Sequence, residues 1–182
     1  MLTASFSSTN HTFRKDDSTM TPQEVISQTY LTSSMVLRTY LSDLTDAELL
    51  HRPGKGCQHL AWQLGHLIAS EGGLLNGVCP GAAAELPSGF AEQHAKDKSD
   101  SNSASDFCTK DEYLRLMDLN QQAALKAYAS VTAEQLDESG PEFMKPMFPT
   151  VGSILILVAT HAMMHAGQFV PVRRTLGKPV LI

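Results

Sequence analysis

Cationic side chains are scarce in this sequence. Lysine and arginine together number 14 against 19 aspartates and glutamates, a net charge of −5. The densest basic feature, Arg173-Arg174 with Lys178, is too small to track a phosphate backbone, so nucleic acid is not an expected partner. Cysteine is also sparse. Cys57, Cys79 and Cys108 are an odd number with no CxxC spacing, which excludes a disulfide framework and a thiolate metal site. They read as reduced thiols, outside any nucleophilic role, in a cytoplasmic protein. Long apolar runs are missing as well. The longest, Ile154 to Ala159, falls far short of a membrane span. The first 20 residues are rich in serine and threonine and contain no apolar core of signal-peptide length; they read as a disordered leader.

What remains, residues 21–182, is of a size for one domain with a hydrophobic core. Four Ser/Thr-x-x-Glu/Gln signals announce helix starts: Thr21 to Glu24, Thr45 to Glu48, Thr109 to Glu112 and Thr132 to Gln135. The first opens an amphipathic helix to about Ser42, with Ile26, Tyr30, Leu37 and Leu41 on one stripe. A second long helix is expected from about Gln58 to Leu75, ended by Asn76-Gly77. The third runs from the Thr109 cap to about Ala129. The fourth starts at Thr150 and should kink or end at Pro171. Residues 77–108 form a connection long enough to travel the length of a bundle, so that helices 2 and 3 run parallel. A connection of that length is either a functional lid or a mobile excursion. Leu44–Leu50 after helix 1 and Val131–Asp137 after helix 3 look alike, which suggests two related hairpins in one four-helix bundle.

Chemistry concentrates on the fourth helix. His161 and His165 are one turn apart on an otherwise apolar segment, so both imidazoles project from one face. Two buried imidazoles need partners, because an unpaired buried polar group costs about 1–3 kcal/mol. They are either hydrogen-bonded core residues or ligands of a metal that takes a third ligand from elsewhere. Helix 2 offers His66, flanked by apolar residues and preceded by Gly65, and His59 near its start, where solvent reaches more easily. His66 is the better choice. Three histidines would leave an open coordination position, the arrangement of a catalytic metal site and not of a closed structural one.

The spacing Trp62-x-x-Gly65-His66-Leu67, then His161-x-x-x-His165-x-Gly167-Gln168, then Arg173-Arg174-x-Leu-Gly177-x-Pro179, resembles the DinB-like superfamily. The resemblance covers roughly residues 21–182. It implies an all-α, up-down-down-up four-helix bundle with a long connection between helices 2 and 3. It also implies a divalent metal, zinc or nickel, held by His66, His161 and His165. Members include S-transferases that use low-molecular-weight thiols and others described as metal-dependent hydrolases. A small-molecule substrate and a homodimer are the expected partners. The alternative from another class is a non-catalytic metal-binding or dimerisation bundle, whose site would be closed by a fourth ligand such as His59 or Gln168.

The remaining candidates carry blander expectations. Trp62, one turn before His66, should wall the site, and Met163 and Met164 read as core filler. Gln168 is a candidate to orient a bound water or a ligand imidazole. Glu71 lies some 140° around the helix from His66, which disfavours it as a base. His11, His51 and His94 fall in the leader or in linkers and read as solvated. Arg173-Arg174 should interact with the dipole of the last helix, or anchor an anion.

Overall fold

A computed structural model describes residues 19–182. The leader expected over 1–20 thus lies, apart from its last two residues, outside the described residues. Four long helices carry the architecture: α1 (Pro22–Leu41), α3 (Leu60–Val78), α5 (Lys110–Ser130) and α7 (Val151–Thr175). Single-turn helices α2 (Asp46–Leu49), α4 (Phe90–Gln93) and α6 (Ala133–Asp137) punctuate the connections. Both α1 and α3 pack against α5 and α7, so the long helices close around a shared core. The described residues contain no strand, and an isolated bridge between Ser139 and Thr150 ties down the loop before α7.

All four cap signals act where the sequence places them. Thr21, Thr45 and Thr132 each accept from the backbone N–H three residues on and receive the reciprocal bond from Glu24, Glu48 or Gln135. Such a cap contributes about 1 kcal/mol to its helix. Thr109 caps α5 without that reciprocal bond, because the Glu112 carboxylate is taken by Arg115 at 2.7 and 2.8 Å. The stop expected at Asn76-Gly77 fails, and Pro171, expected to kink or end the last helix, does not end it. Gly72-Gly73 and Asn76-Gly77 lie inside α3, which runs on to Val78. Pro171 lies inside α7, which continues to Thr175. Burial of Phe169, Val172 and Arg173 on either side of the proline holds that last turn in place.

The core forms two clusters along the bundle. One gathers Leu37, Leu41, Leu64, Leu116 and Phe169; the other gathers Tyr30, Leu75, Tyr128, Leu155 and Val158. Helix α7 passes between them around His161, with Val158 and Ala159 on one side and Ala162 and Ala166 on the other. By length and composition α7 could cross a membrane, but half of its most apolar window is buried inside the bundle. Arg173 is fully buried. It donates to the Tyr40 and Pro179 carbonyls and to both carboxylate oxygens of Asp43. That settles it as a clamp between α7, the end of α1 and the C-terminal tail, and not as an anion anchor.

The connection from α3 to α5 is built, not loose. Besides α4 it contains 3-10 turns at Lys96–Lys98 and Ala104–Asp106. Phe90 and His94 from this segment are buried, so His94 is a core residue and the expectation of a solvated histidine fails. Its ring donates from Nδ1 to the Phe90 carbonyl at 2.8 Å and accepts from the Tyr113 hydroxyl at 2.9 Å. Gly65 of α3 makes room for it. A Cβ there would sit 1.9 Å from His94 Cδ2, so the glycine admits this ring and not a neighbouring helix.

In the second cluster α3 buries a carboxyl, Glu71, whose Oε2 accepts from the Tyr30 hydroxyl at 3.1 Å. Burial pushes its pKa up to about 8, against the opposing pull of the Tyr30 and Asn120 hydrogen bonds. The folded state therefore holds a proton that the unfolded chain releases near pH 4.5. This contribution to stability is full below that value and is lost as pH rises through about 8. Glu71→Gln, which imitates the protonated form, should gain on the wild type by about 1 kcal/mol per pH unit between pH 5 and 8. Urea titrations across that range check it; parallel profiles for the two proteins would show that Glu71 is not held neutral.

Candidate metal centre

Helices α3 and α7 bring three imidazoles together. His66, His161 and His165 each offer a ring nitrogen, and these atoms lie within 4.8 Å of one another. The one-turn spacing on α7 puts the His161 and His165 ring centroids 4.9 Å apart, and His66 faces both at 6.0 and 5.8 Å. His161 and His165 are buried, and His66 is half-buried.

The polar contacts around this cluster leave its lone pairs unused. Gln63, three residues before His66, is buried on the same helix. Its Nε2 donates to the Gln58 carbonyl at 3.1 Å, which leaves Oε1 to accept. That oxygen sits 3.2 Å from His165 Nδ1, so Nδ1 carries the proton and Nε2 keeps a bare lone pair. His165 Nε2 and His161 Nδ1 are both buried with no hydrogen-bond partner. Orphaned nitrogens of this kind, beside a third imidazole, are what a metal ligand set requires. The donor set fits a divalent ion.

Burial also keeps the rings neutral. It pushes His161 down to about 4 and His165 down to about 3, with the neighbouring imidazoles adding to both shifts. His66 is lowered by burial and then by the nearby Lys96 charge. Trp62 stacks on His66 with ring centroids 4.9 Å apart and planes within 8°, which makes it the expected wall. Its indole N–H donates to the Ala95 carbonyl at 3.1 Å and ties the α3–α5 connection to the cluster.

A cleft of about 480 Å³ opens onto His66 and His161. Its walls come from α3 (Ser70, Leu74, Val78), α7 (Ile154) and the loop before α7 (Phe143, Met144), with Lys96 at the same opening. Ser70 reaches His66 only at 3.5 Å, a marginal contact.

Other expected site residues are placed elsewhere. His59 is fully buried, contrary to its expected solvent access, and it caps α3. Its Nδ1 accepts from the Trp62 backbone N–H and its Nε2 donates to the Ser101 carbonyl, so no lone pair remains for a metal. Gln168 is exposed and its side chain makes no hydrogen bond among the described residues; the orienting role falls to Gln63, which sequence reasoning missed. A polar residue on the buried face of α3, one turn before His66, was the available signal. Met163 and Met164 are 39% and 56% exposed and so are not core filler. Glu71 is committed to Tyr30, in keeping with its place off the His66 face.

The sequence profile of the DinB superfamily matches residues 30–169. The chain belongs to that superfamily. Among solved structures, a conserved protein of Enterococcus faecalis superposes with a TM-score of 0.64 at 17% identity, over 88% of this chain and 100% of its own. A DinB-like protein of Bacillus cereus superposes with a TM-score of 0.59 at 20% identity, over 86% and 95%. At these identities the likeness is one of fold. No curated protein matches the chain. Within the DinB fold, the three-histidine cluster is a group able to hold a metal ion.

Depressed imidazole pKa values have a consequence for the metal-free protein. The unfolded chain takes up protons near pH 6.5, whereas folded His161 and His165 take them up only near 4 and 3. Their contribution is therefore full above pH 6.5 and is lost as pH falls toward 4. The wild type should lose about 2–4 kcal/mol more than His161→Ala/His165→Ala between pH 7 and 5. Urea unfolding at the two pH values checks this, and equal losses would mean that the folded rings take up protons freely.

Proposed function

We propose that this protein is a metal-dependent enzyme. In this reading His66, His161 and His165 are the ligands of one divalent ion, zinc or nickel, and a low-molecular-weight thiol is the co-substrate for S-transfer. The observation that carries the proposal is the pair of buried nitrogens on His161 and His165 without a partner among the described residues, in a cluster whose His66 and His161 line an open cleft. A divalent ion bound there supplies a Lewis-acid position that lowers the pKa of a thiol or water.

The chain's own residues do the rest. Gln63 holds His165 in the tautomer with a free Nε2, and Trp62 fixes the plane of His66 by stacking. The cleft walls admit a substrate of small-molecule size beside them. A closed structural site would need a fourth protein ligand. His59 is occupied by its two hydrogen bonds and Gln168 is exposed, so neither supplies one. Thiol transfer is favoured over hydrolysis because, among the described residues, no carboxylate lines the cleft to take a proton from water, and Glu71 is bonded to Tyr30.

The same proposal carries the finer architecture: an up-down-down-up order, one domain over 21–182, a cytoplasmic location and a homodimer. Exposed Val25, Met163 and Met164 line a groove between α1 and α7 that offers apolar surface to a second copy.

Plasma mass spectrometry on untagged protein, wild type beside His161→Ala and Gln63→Leu, provides the test. The wild type should hold about one equivalent of metal and His161→Ala almost none, with Gln63→Leu about 10–100-fold weaker in affinity. Quenching by Ni²⁺ of Trp62, the single tryptophan of the chain, gives a second readout. The loaded protein should then consume cysteine or glutathione in the presence of an activated aryl chloride. Wild-type protein that stays metal-free after incubation with Zn²⁺ and Ni²⁺ would sink the proposal; a loaded protein that cleaves esters and ignores thiols would make it a hydrolase.

A further inference from the structure

The cleft beside the three histidines has a charge pattern opposite to that of the chain. Overall the sequence is acidic, at a net −5, yet among the described residues no aspartate or glutamate lines this opening. The nearest acid in the chain before α7, Glu142, is paired with Lys145. Lys96 is the lone cation in the cleft wall, and it forms no ion pair or side-chain hydrogen bond among the described residues. Its two charged neighbours, Asp97 and Lys98, approach each other at 4.0 Å and leave Lys96 to itself.

The backbone beside Lys96 is held in place. The residue before it, Ala95, accepts the Trp62 indole N–H at 3.1 Å, and Trp62 stacks on His66. One contact thus fixes where the exposed Lys96 side chain leaves the backbone relative to the imidazole cluster. Apart from Ser70 and the imidazoles, the other side chains around the cleft are apolar: Leu74 and Val78 of α3, Ile154 of α7, and Phe143 and Met144 of the loop before α7. Phe143 is 84% exposed and Met144 half-buried, so an aromatic face and a flexible thioether stand over the opening without a protein partner covering them.

We propose that the cleft selects an amphipathic anion, a small molecule whose carboxylate pairs with Lys96 while an apolar arm lies on Leu74, Phe143, Met144 and Ile154. The inference rests on the reading of this cleft as a substrate site and adds its substrate class. At about 480 Å³ the space suits a chain or ring of small-molecule size. Charge and apolar contact act at opposite ends of the ligand, so each has its own probe.

Octanoate, 1-octanol, octylamine and acetate separate these contributions by isothermal titration calorimetry. Measurements on metal-free and zinc-loaded protein keep the anion site apart from the metal. The expected order is octanoate ahead of 1-octanol by about fivefold, consistent with a partly exposed charge-assisted contact. Octylamine and acetate should bind more weakly still. That preference should be present in metal-free protein, vanish in Lys96→Gln and return in Lys96→Arg. Equal binding of octanoate and octanol, or a preference that survives in Lys96→Gln, would overturn the proposal. A carboxylate preference confined to zinc-loaded protein would place the anion on the metal and also overturn the role of Lys96. Zinc content measured on the same samples separates the two readings: failure to load zinc counts against the metalloenzyme and leaves the metal-free comparison of Lys96 intact.

Discussion

The candidate centre depends on one side-chain amide. Gln63 donates to the Gln58 carbonyl, and that bond decides which end of the amide faces α7. With the oxygen turned toward His165, the imidazole must present its N–H there and keep the lone pair of Nε2 for the interior. Turned the other way, the amide would pair with that nitrogen's sister atom as donor, leave the proton on Nε2, and remove it from the donor set. A hydrogen bond between neutral groups contributes only about 1 kcal/mol to stability, but its geometry decides the tautomer.

A second constraint is the segment between α3 and α5, which behaves as part of the core. His59, Trp62 and Gly65, on successive turns of α3, each receive a piece of it: the Ser101 carbonyl, the Ala95 carbonyl and the His94 ring. Arg52 adds bonds to the Ser99 and Ser101 carbonyls at 2.7 and 2.9 Å. These contacts satisfy backbone carbonyls that would otherwise go unpaired, and they carry Lys96 to the rim of the cleft. The motif that looks like a metal-site signature in α3 is in large part a docking strip for this segment. Only His66 in it faces the other two imidazoles.

Buried charge is handled differently at the two ends of the bundle. Arg173 is matched by Asp43 and two carbonyls, which meet every part of its guanidinium. Glu71 has a phenol and no cation, and burial favours its neutral form instead. Neither group touches the cleft. The imidazole cluster lies between them with uncharged rings and unspent lone pairs, the condition in which histidine binds metal most readily.

His66 stood out only through the resemblance of the whole motif, whereas helix starts, the amphipathic stripes and the shared face of His161 and His165 were all legible along the chain. Each depends on residues within about four positions of one another, where helical geometry and capping chemistry act alone. Where that local reasoning was pushed further it failed in instructive places. Asn76-Gly77 looks like a stop, yet α3 runs through it to Val78, and α7 continues past Pro171 with Phe169, Val172 and Arg173 packed on either side. His94 looks solvated, yet Gly65 gives it a socket some thirty residues away in the chain. The tautomer of His165, the loss of His59 to capping, the commitment of Glu71 to Tyr30 and the placing of Lys96 beside His66 were decided by tertiary structure alone. In each case the deciding partner sits on another element or across a turn. Which lone pair stays free depends on which distant donor or acceptor arrives first, and no local periodicity encodes that.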